Sequence, residues 1–491
     1  MIKQLFARRN AGFYLGVLLF IVMLLLPAPS GMEDVAWRTA AVAALMATWW
    51  ILEAMPIAVT SLLPVVLFPV LDISPISETT APYANPLIFL FLGGFIIAIG
   101  MQRWQLHRRI ALRIVSFVGV KPTSIIIGFI LASAFLSMWV SNTATALMML
   151  PIAISVLQFM DNKKDSSLPV TNFEIVLVLA IAYACNIGGI ATLIGTPPNA
   201  LLAGFMLESY GVEISFARWM LIGIPLVIIM LPIMYLVLTK LVYPIKIKEL
   251  PGGYSVIQNQ LKSLGNISTP ESRVAVVFTI TAALWIFRPL LANAVPGLSD
   301  AGIAIFGAMS LFIIPSGSDE QQKLLLWNDM KELPWGILIL FGGGLSLAMG
   351  ITSSGLATWI GDGVSGLGAV PLLLLITMVI AIVVFLTEIT SNTATTAAFL
   401  PILASSAIGL GQDPMFFILP AAIAASCAFM LPVATPPNAV VYGSGKITIP
   451  QMAKAGIWLK IIVTVLFSLA SYTLFAWVFG VEIGVLPDWV Q

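Results

Sequence analysis

FLSMWVSNTATALMMLP, residues 135–151, returns 250 residues later as FLTEITSNTATTAAFLP, residues 385–401, with nine of seventeen positions identical. Each copy sets Ser-Asn-Thr-Ala-Thr in the middle of an apolar run. Polar side chains in apolar surroundings are costly unless something satisfies them. A membrane anchor gains nothing from writing such a segment twice, so the pair marks where function resides.

Composition sets the class. Of 491 residues, 59% are hydrophobic and 9% charged, and mean hydropathy is +1.04. Soluble domains carry about 25% charged residues. Many stretches approach the ~20 apolar residues that cross a bilayer. The alternating segments of a membrane barrel are missing, so the expectation is an all-α polytopic membrane protein. Net charge +1 carries no message about nucleic acid. Cys185 and Cys427 lie in apolar runs and read as small buried side chains. MIKQLFARRN before an apolar run reads as a retained first helix with a cytoplasmic basic flank.

Apolar spans are expected at about 11–29, 36–56, 57–71, 85–102, 174–208, 215–243, 273–294, 301–315, 334–352, 414–445 and 455–480, with two further stretches at 123–159 and 370–407. Basic residues orient them. With the N-terminus inside, 20 of the 23 Lys and Arg fall inside, Lys460 counted among them. Arg38, Arg218 and Arg288 fall near the outer side. That balance requires 123–159 and 370–407 each to enter and leave on one face, as re-entrant helical hairpins with Ser-Asn-Thr at the tip. Asn266-Ile267-Ser268 is a formal glycosylation sequon, but it lies in the polar link 244–272 placed inside.

The repeat extends further. IFLFLGGFIIAIG (88–100) parallels LILFGGGLSLAMG (338–350), and GTPPNA (195–200) parallels ATPPNA (434–439). Each half therefore runs Gly-rich helix, hairpin, then helix broken at Thr-Pro-Pro-Asn. The first hairpin opens from inside and the second from outside. Inverted halves with broken helices are the pattern of a secondary transporter, with its site at the repeat interface. The Gly-rich stretches read as close-packing contacts.

Pro-Pro cannot continue a helix, so the chain breaks at Pro197, Pro198, Pro436 and Pro437. Freed carbonyls with Ser, Thr and Asn oxygens suit a small hard cation. Helix N-termini suit an anion, each carrying roughly half a positive charge. No Lys, Arg or His lies in any of the four motifs. A carboxylate ligand would be neutralised by helix N-termini and by cations bound with it. Glu53 and Glu388 are carboxylates in apolar surroundings and candidates for a role. His107, in the basic segment RWQLHRR, reads as a cytoplasmic interfacial residue. An enzyme reading finds no support: no Cys/His/carboxylate group has metal spacing, and no general base stands beside a nucleophile.

SNTATALMMLP, GGIATLIGTPPNA, FLTEITSNTA and SCAFMLPVATPPNA closely resemble the divalent anion:sodium symporters, the INDY-type dicarboxylate transporters, over nearly the whole chain. The resemblance implies 11 transmembrane segments plus two opposed hairpins in inverted repeats, a homodimer in the bacterial inner membrane with its C-terminus outside, and an elevator-type sodium-coupled import of C4-dicarboxylates. A sodium-independent exchanger and a citrate or sulfate carrier are the alternatives within the family. Its first sodium site carries over to Ser137, Ser141, Asn142 and Gly195, and its second to Thr387, Thr390, Asn392 and Ala434. Substrate contacts carry over to Asn142, Thr143, Thr196, Ser391, Asn392, Thr393, Thr435 and Pro436. The implied domains are scaffold at 1–122 and 273–369, each ending in a Gly-rich helix, and transport at 123–208 and 370–445. A helix and linker at 209–272 and a last helix at 446–491 complete the chain.

Overall fold

The computed structural model describes residues 2–119, 121–161, 171–247, 253–317 and 322–490. Lys163, Lys164 and Lys248, three of the basic residues used for orientation, lie outside them. Among the described residues the regular structure is helical; no strand forms, and Pro315 and Lys323 make one isolated bridge.

In the first half α1 is Ile2–Leu25, α2 Asp34–Leu52, α3 Leu63–Val70, α4 Pro86–Arg103, α5 Leu106–Val118, α6 Pro122–Ser137, α7 Asn142–Asp161, α8 Thr171–Gly188, α9 Pro197–Tyr210 and α10 Phe216–Leu236. The link carries α11, Gly253–Ser263. The second half has α12 Thr269–Leu291, α13 Asp300–Ile313, α14 Trp335–Ser353, α15 Leu356–Val364, α16 Leu372–Leu386, α17 Asn392–Gly409, α18 Met415–Ala425, α19 Pro436–Gly443 and α20 Ile449–Ala470. Among the described residues seven helical segments are long and apolar enough to cross a membrane, and several shorter apolar helices accompany them.

The repeat in the sequence is a repeat in space. α4 and α14 meet through Phe91 and Phe341, 250 positions apart. Their glycines act as the sequence suggested. A Cβ on Gly93 would lie 2.5 Å from the Ala304 carbonyl carbon, and one on Gly343 would lie 2.1 Å from the Ser61 oxygen. Each glycine thus lets a neighbouring backbone come to van der Waals contact. α8 runs through the centre: from Ile175 to Cys185 every side chain is at most 2% exposed. An apolar surface on all sides suits such a central helix.

Three features differ from the sequence reading. The span expected at 57–71 is broken into Ile57–Thr60 and α3, since Pro64 enters at the start of the second piece. The amphipathic helices α5 and α15 follow the Gly-rich helices 250 residues apart, where periodicity over so few residues was not read. Lys460 is not a cytoplasmic flank; it is fully buried in the middle of α20.

Other ion pairs tie connecting segments to the helices. Arg103 pairs with Asp329, and Arg109 with Glu271 at 2.5 Å. Arg109 also donates to the carbonyls of Leu264, Gly265 and Asn266, tying the polar link down. Ser268, in the sequon, caps α12 in a reciprocal box with Glu271. Arg288, expected outside, pairs with Glu213 and Asp300. His107 lies 3.1 Å from the Met101 carbonyl, and burial pulls its pKa below 6.5 with help from Arg108.

Candidate functional site

The turns 138–141 and 387–391 join α6 to α7 and α16 to α17. Asn142 and Asn392 are the first residues of α7 and α17, so Ser-Asn-Thr straddles a helix N-terminus in both copies. Both serines accept from the turn that follows: Ser141 Oγ from Ala144 N–H and Ser391 Oγ from Ala394 N–H.

A hydroxyl behind each motif orients the asparagine. Ser137 Oγ donates to Asn142 Oδ1 and also lies 2.8 Å from the Cys185 carbonyl. Thr387 Oγ1 lies 2.5 Å from Asn392 Oδ1 and 2.7 Å from the Ala425 carbonyl. Both hydroxyl-bearing residues are fully buried. Thr390 is buried too, and its hydroxyl bonds Leu386 O and Thr395 Oγ1.

The helix breaks are longer than two prolines require. α8 ends at Gly188 and α9 starts at Pro197; α18 ends at Ala425 and α19 starts at Pro436. The open stretches survive because their carbonyls find buried donors. Asn199 Nδ2 donates to Gly189 O at 3.0 Å and Thr192 O at 2.8 Å. Asn438 Nδ2 donates to Ala428 O at 3.2 Å and Leu431 O at 3.1 Å. Both pairs of acceptors are related by the same 239 positions as the asparagines. The motif's Asn is thus a strut for the broken helix.

The four elements close on one cavity of about 540 Å³. Ser141, Asn142, Thr143, Gly195, Thr196, Ser391, Asn392, Thr393, Ala434, Thr435 and Pro436 all line it. The N-termini of α7, α9, α17 and α19 therefore face a common space. Ser137, Thr387 and Thr390 stand behind the lining. Gly189 shows how close the first oxygen set is: a Cβ there would lie 2.9 Å from Asn142 Oδ1 and 3.0 Å from Gly195 O. Hydroxyl, amide and carbonyl oxygens of this kind suit a hard monovalent cation.

Sequence reasoning missed part of the lining. Asn186 donates across the halves to Ala428 O at 3.0 Å and Thr435 Oγ1 at 3.2 Å. It is single rather than doubled, so no repeat pointed to it. Phe95 and Ile337 also line the cavity, and Glu53, suspected for its apolar surroundings, is the one charged residue among the described residues lining it. Glu53 caps α2 in the left-handed conformation, with φ 50°.

Residues 7–481 match the family described as the sodium:sulfate symporter transmembrane region. The chain belongs to this symporter family. It is 45% identical to the sodium-dependent dicarboxylate transporter SdcS of Staphylococcus saprophyticus over 482 residues, covering 96% of this chain and 92% of that one. It is also 45% identical to SdcS of Staphylococcus aureus strain USA300 over 492 residues, covering 98% and 94%. Among solved structures, the Neisseria gonorrhoeae MtrF pump aligns with TM-score 0.58 at 14% identity, covering 96% of both chains. The Alcanivorax borkumensis YdaH transporter aligns with TM-score 0.55 at 14% identity, covering 80% of this chain and 86% of that one. At that identity the likeness is one of fold. Membership makes this symporter-family chain a multi-pass membrane transporter and not an enzyme.

Proposed function

We propose that the chain imports C4-dicarboxylates such as succinate, malate or fumarate, driven by sodium. The carrying observation is that four helix N-termini face one cavity whose described lining holds no Lys, Arg or His. Each N-terminus supplies roughly half a positive charge. A dianion placed there still needs cations, and oxygen donors at Ser141, Asn142 and Gly195, and at Thr390, Asn392 and Ala434, stand where cations would lie beside it. Ser137 and Thr387 orient the two asparagines. The substrate contacts are Asn142, Thr143, Thr196, Ser391, Asn392, Thr393, Thr435 and Pro436. Relatives named for sodium-dependent dicarboxylate transport support the choice of ions.

The movement is of the elevator type. Residues 123–208 and 370–445 carry the motifs and form the transport domain, sliding against a scaffold that includes 1–122 and 273–369. α6 and α16 have 16 and 15 residues. At 1.5 Å per residue they reach about 24 Å, short of the ~30 Å hydrocarbon layer, which favours re-entrant hairpins over full crossings. The chain works as a homodimer in the bacterial inner membrane, with its N-terminus in the cytoplasm and its C-terminus outside.

Uptake of labelled succinate into proteoliposomes tests the reading, with and without an inward sodium gradient and with citrate and sulfate competing. Concentrative uptake that needs sodium and is blocked first by malate and fumarate is expected. Equal uptake without the gradient points to an exchanger and overturns the coupling. Preferential block by sulfate or citrate reassigns the anion.

A further inference from the structure

The two half-sites repeat in sequence, yet the hairpin tip is tied to the broken helix by different chemistry in each. In the first half, Thr192 Oγ1 donates to the Met138 carbonyl at 2.6 Å. Thr192 O then receives Asn199 Nδ2 and, at 3.3 Å, the N–H of Gly195. In the second half the equivalent positions are Glu388 and Leu431, 250 and 239 residues on. Here a carboxylate makes the link. Glu388 Oε1 accepts from Phe429 N–H at 2.7 Å and Met430 N–H at 2.9 Å, and Oε2 from Leu431 N–H at 2.8 Å. Leu431 O in turn receives Asn438 Nδ2 and, at 3.3 Å, the N–H of Ala434.

Lys460 balances the charge. Its Nζ lies 2.9 Å from Glu388 Oε1 and 2.6 Å from the Val384 carbonyl, and it sits 4.6 Å from the centre of the Phe385 ring. Glu388 is 4% exposed and Lys460 is fully buried. The first half offers no such partner. Gly223 packs on the Ile190 and Ala191 carbonyls as Gly456 packs on that of Phe429. Four residues beyond each glycine stand Val227 and Lys460. Met138 and Val227 thus replace an ion pair.

A buried ion pair is poor value as a source of stability, because desolvation offsets its attraction. What this one does is hold three consecutive N–H groups. Glu388 follows Thr387 directly, and the segment it grips leads into Ala434. We infer that Glu388 and Lys460 are positioning residues for the second cation half-site, which is held in its binding geometry beforehand while the first is held by neutral bonds alone. Partners that orient ligands in this way typically change ion affinity 10- to 100-fold.

The inference rests on the sodium-coupled reading, and one experiment separates the two. Sodium-dependent thermal stabilisation of the detergent-purified protein without substrate is compared with the sodium and succinate dependence of uptake. The variants are Glu388→Gln and the double Glu388→Met/Lys460→Val, which copies the first half. Half-saturating sodium is expected to rise about tenfold or more in both readouts, while KM for succinate at saturating sodium stays within about twofold. A wild type without sodium dependence in either readout refutes the coupling itself. A sodium-dependent wild type with unchanged variants overturns the inference alone. Equal rises in sodium and succinate constants, or failure of both variants to fold, make the pair a structural element and also overturn it.

Discussion

The rings of Phe91 and Phe341 meet edge to face, with centroids 5.0 Å apart and planes at 84°. The two residues occupy the same place in the two Gly-rich helices. This contact joins the two halves at corresponding positions of the repeat. The cross-halves bond from Asn186 to Thr435 and the approach of Thr196 Oγ1 to Ser426 Oγ, 3.4 Å, join the halves again around the cavity.

Ser137→Ala and Thr387→Ala remove the hydroxyls that orient Asn142 and Asn392. Neither residue lines the cavity, so the effect should reach the cation before the anion. Half-saturating sodium for uptake is expected to rise roughly tenfold or more in each. Thr387→Ser, which keeps the hydroxyl, should stay near wild type. Titrating uptake against sodium at fixed succinate checks this.

Asn199→Leu and Asn438→Leu strip donors from two carbonyls each of an open, buried stretch. Thr192 O, Ala428 O and Leu431 O each keep a second donor, from Gly195 N–H, Asn186 Nδ2 and Ala434 N–H, so the cost is that of the lost hydrogen bonds, about 0.5–1.5 kcal/mol each. Both variants should melt well below wild type in detergent and lose most uptake. Asn199→Leu/Asn438→Leu should lose about the sum of the two single losses, because the two struts serve separate breaks.

Arg109 and Glu271 have side chains only 7% and 5% exposed. Removing either partner leaves a buried charge, at a cost of about 3–5 kcal/mol. Arg109→Ala should also free the link at 264–266 and open it to protease. Arg109→Met/Glu271→Met should be less damaging than the two single losses added. Limited proteolysis and thermal melts of the cycle measure the coupling.

Asp413 lies in the connection between α17 and α18, with Oδ1 2.8 Å from Met415 N–H. Burial pushes its pKa from 3.8 up to about 6, against that bond. A carboxyl whose pKa rises on folding disfavours its own ionisation, so its penalty is nil below the unfolded value. Stability from this group should fall as pH climbs from about 4 to about 6 and stay level above. Asp413→Asn keeps the acceptor and drops the charge. It should melt with wild type near pH 4 and above it at pH 7, which melts across pH would register.

The helical class, the doubled motif and the break at each Pro-Pro were legible because they depend on residues close in sequence. Apolar runs must bury their backbone in helices, and proline removes a donor wherever it stands. The extent of the breaks was not legible. α8 gives way at Gly188 to a 3-10 turn, Gly189–Ala191, and then to an open stretch before Pro197; Gly188 and Gly189 weaken the helix locally, and Asn199 sustains the opening by reaching back to its carbonyls.

By itself, the sequence determined that Ser-Asn-Thr and Thr-Pro-Pro-Asn recur in order, and so that four helix N-termini exist. Tertiary structure decided that they face one cavity, and that Asn186 crosses between halves. It decided also that Lys460 sits beside Glu388 and not at a membrane surface. The reason is physical. Backbone breaks follow from each residue's own covalent geometry, whereas a buried polar group's partner is whichever group packing brings within about 3 Å.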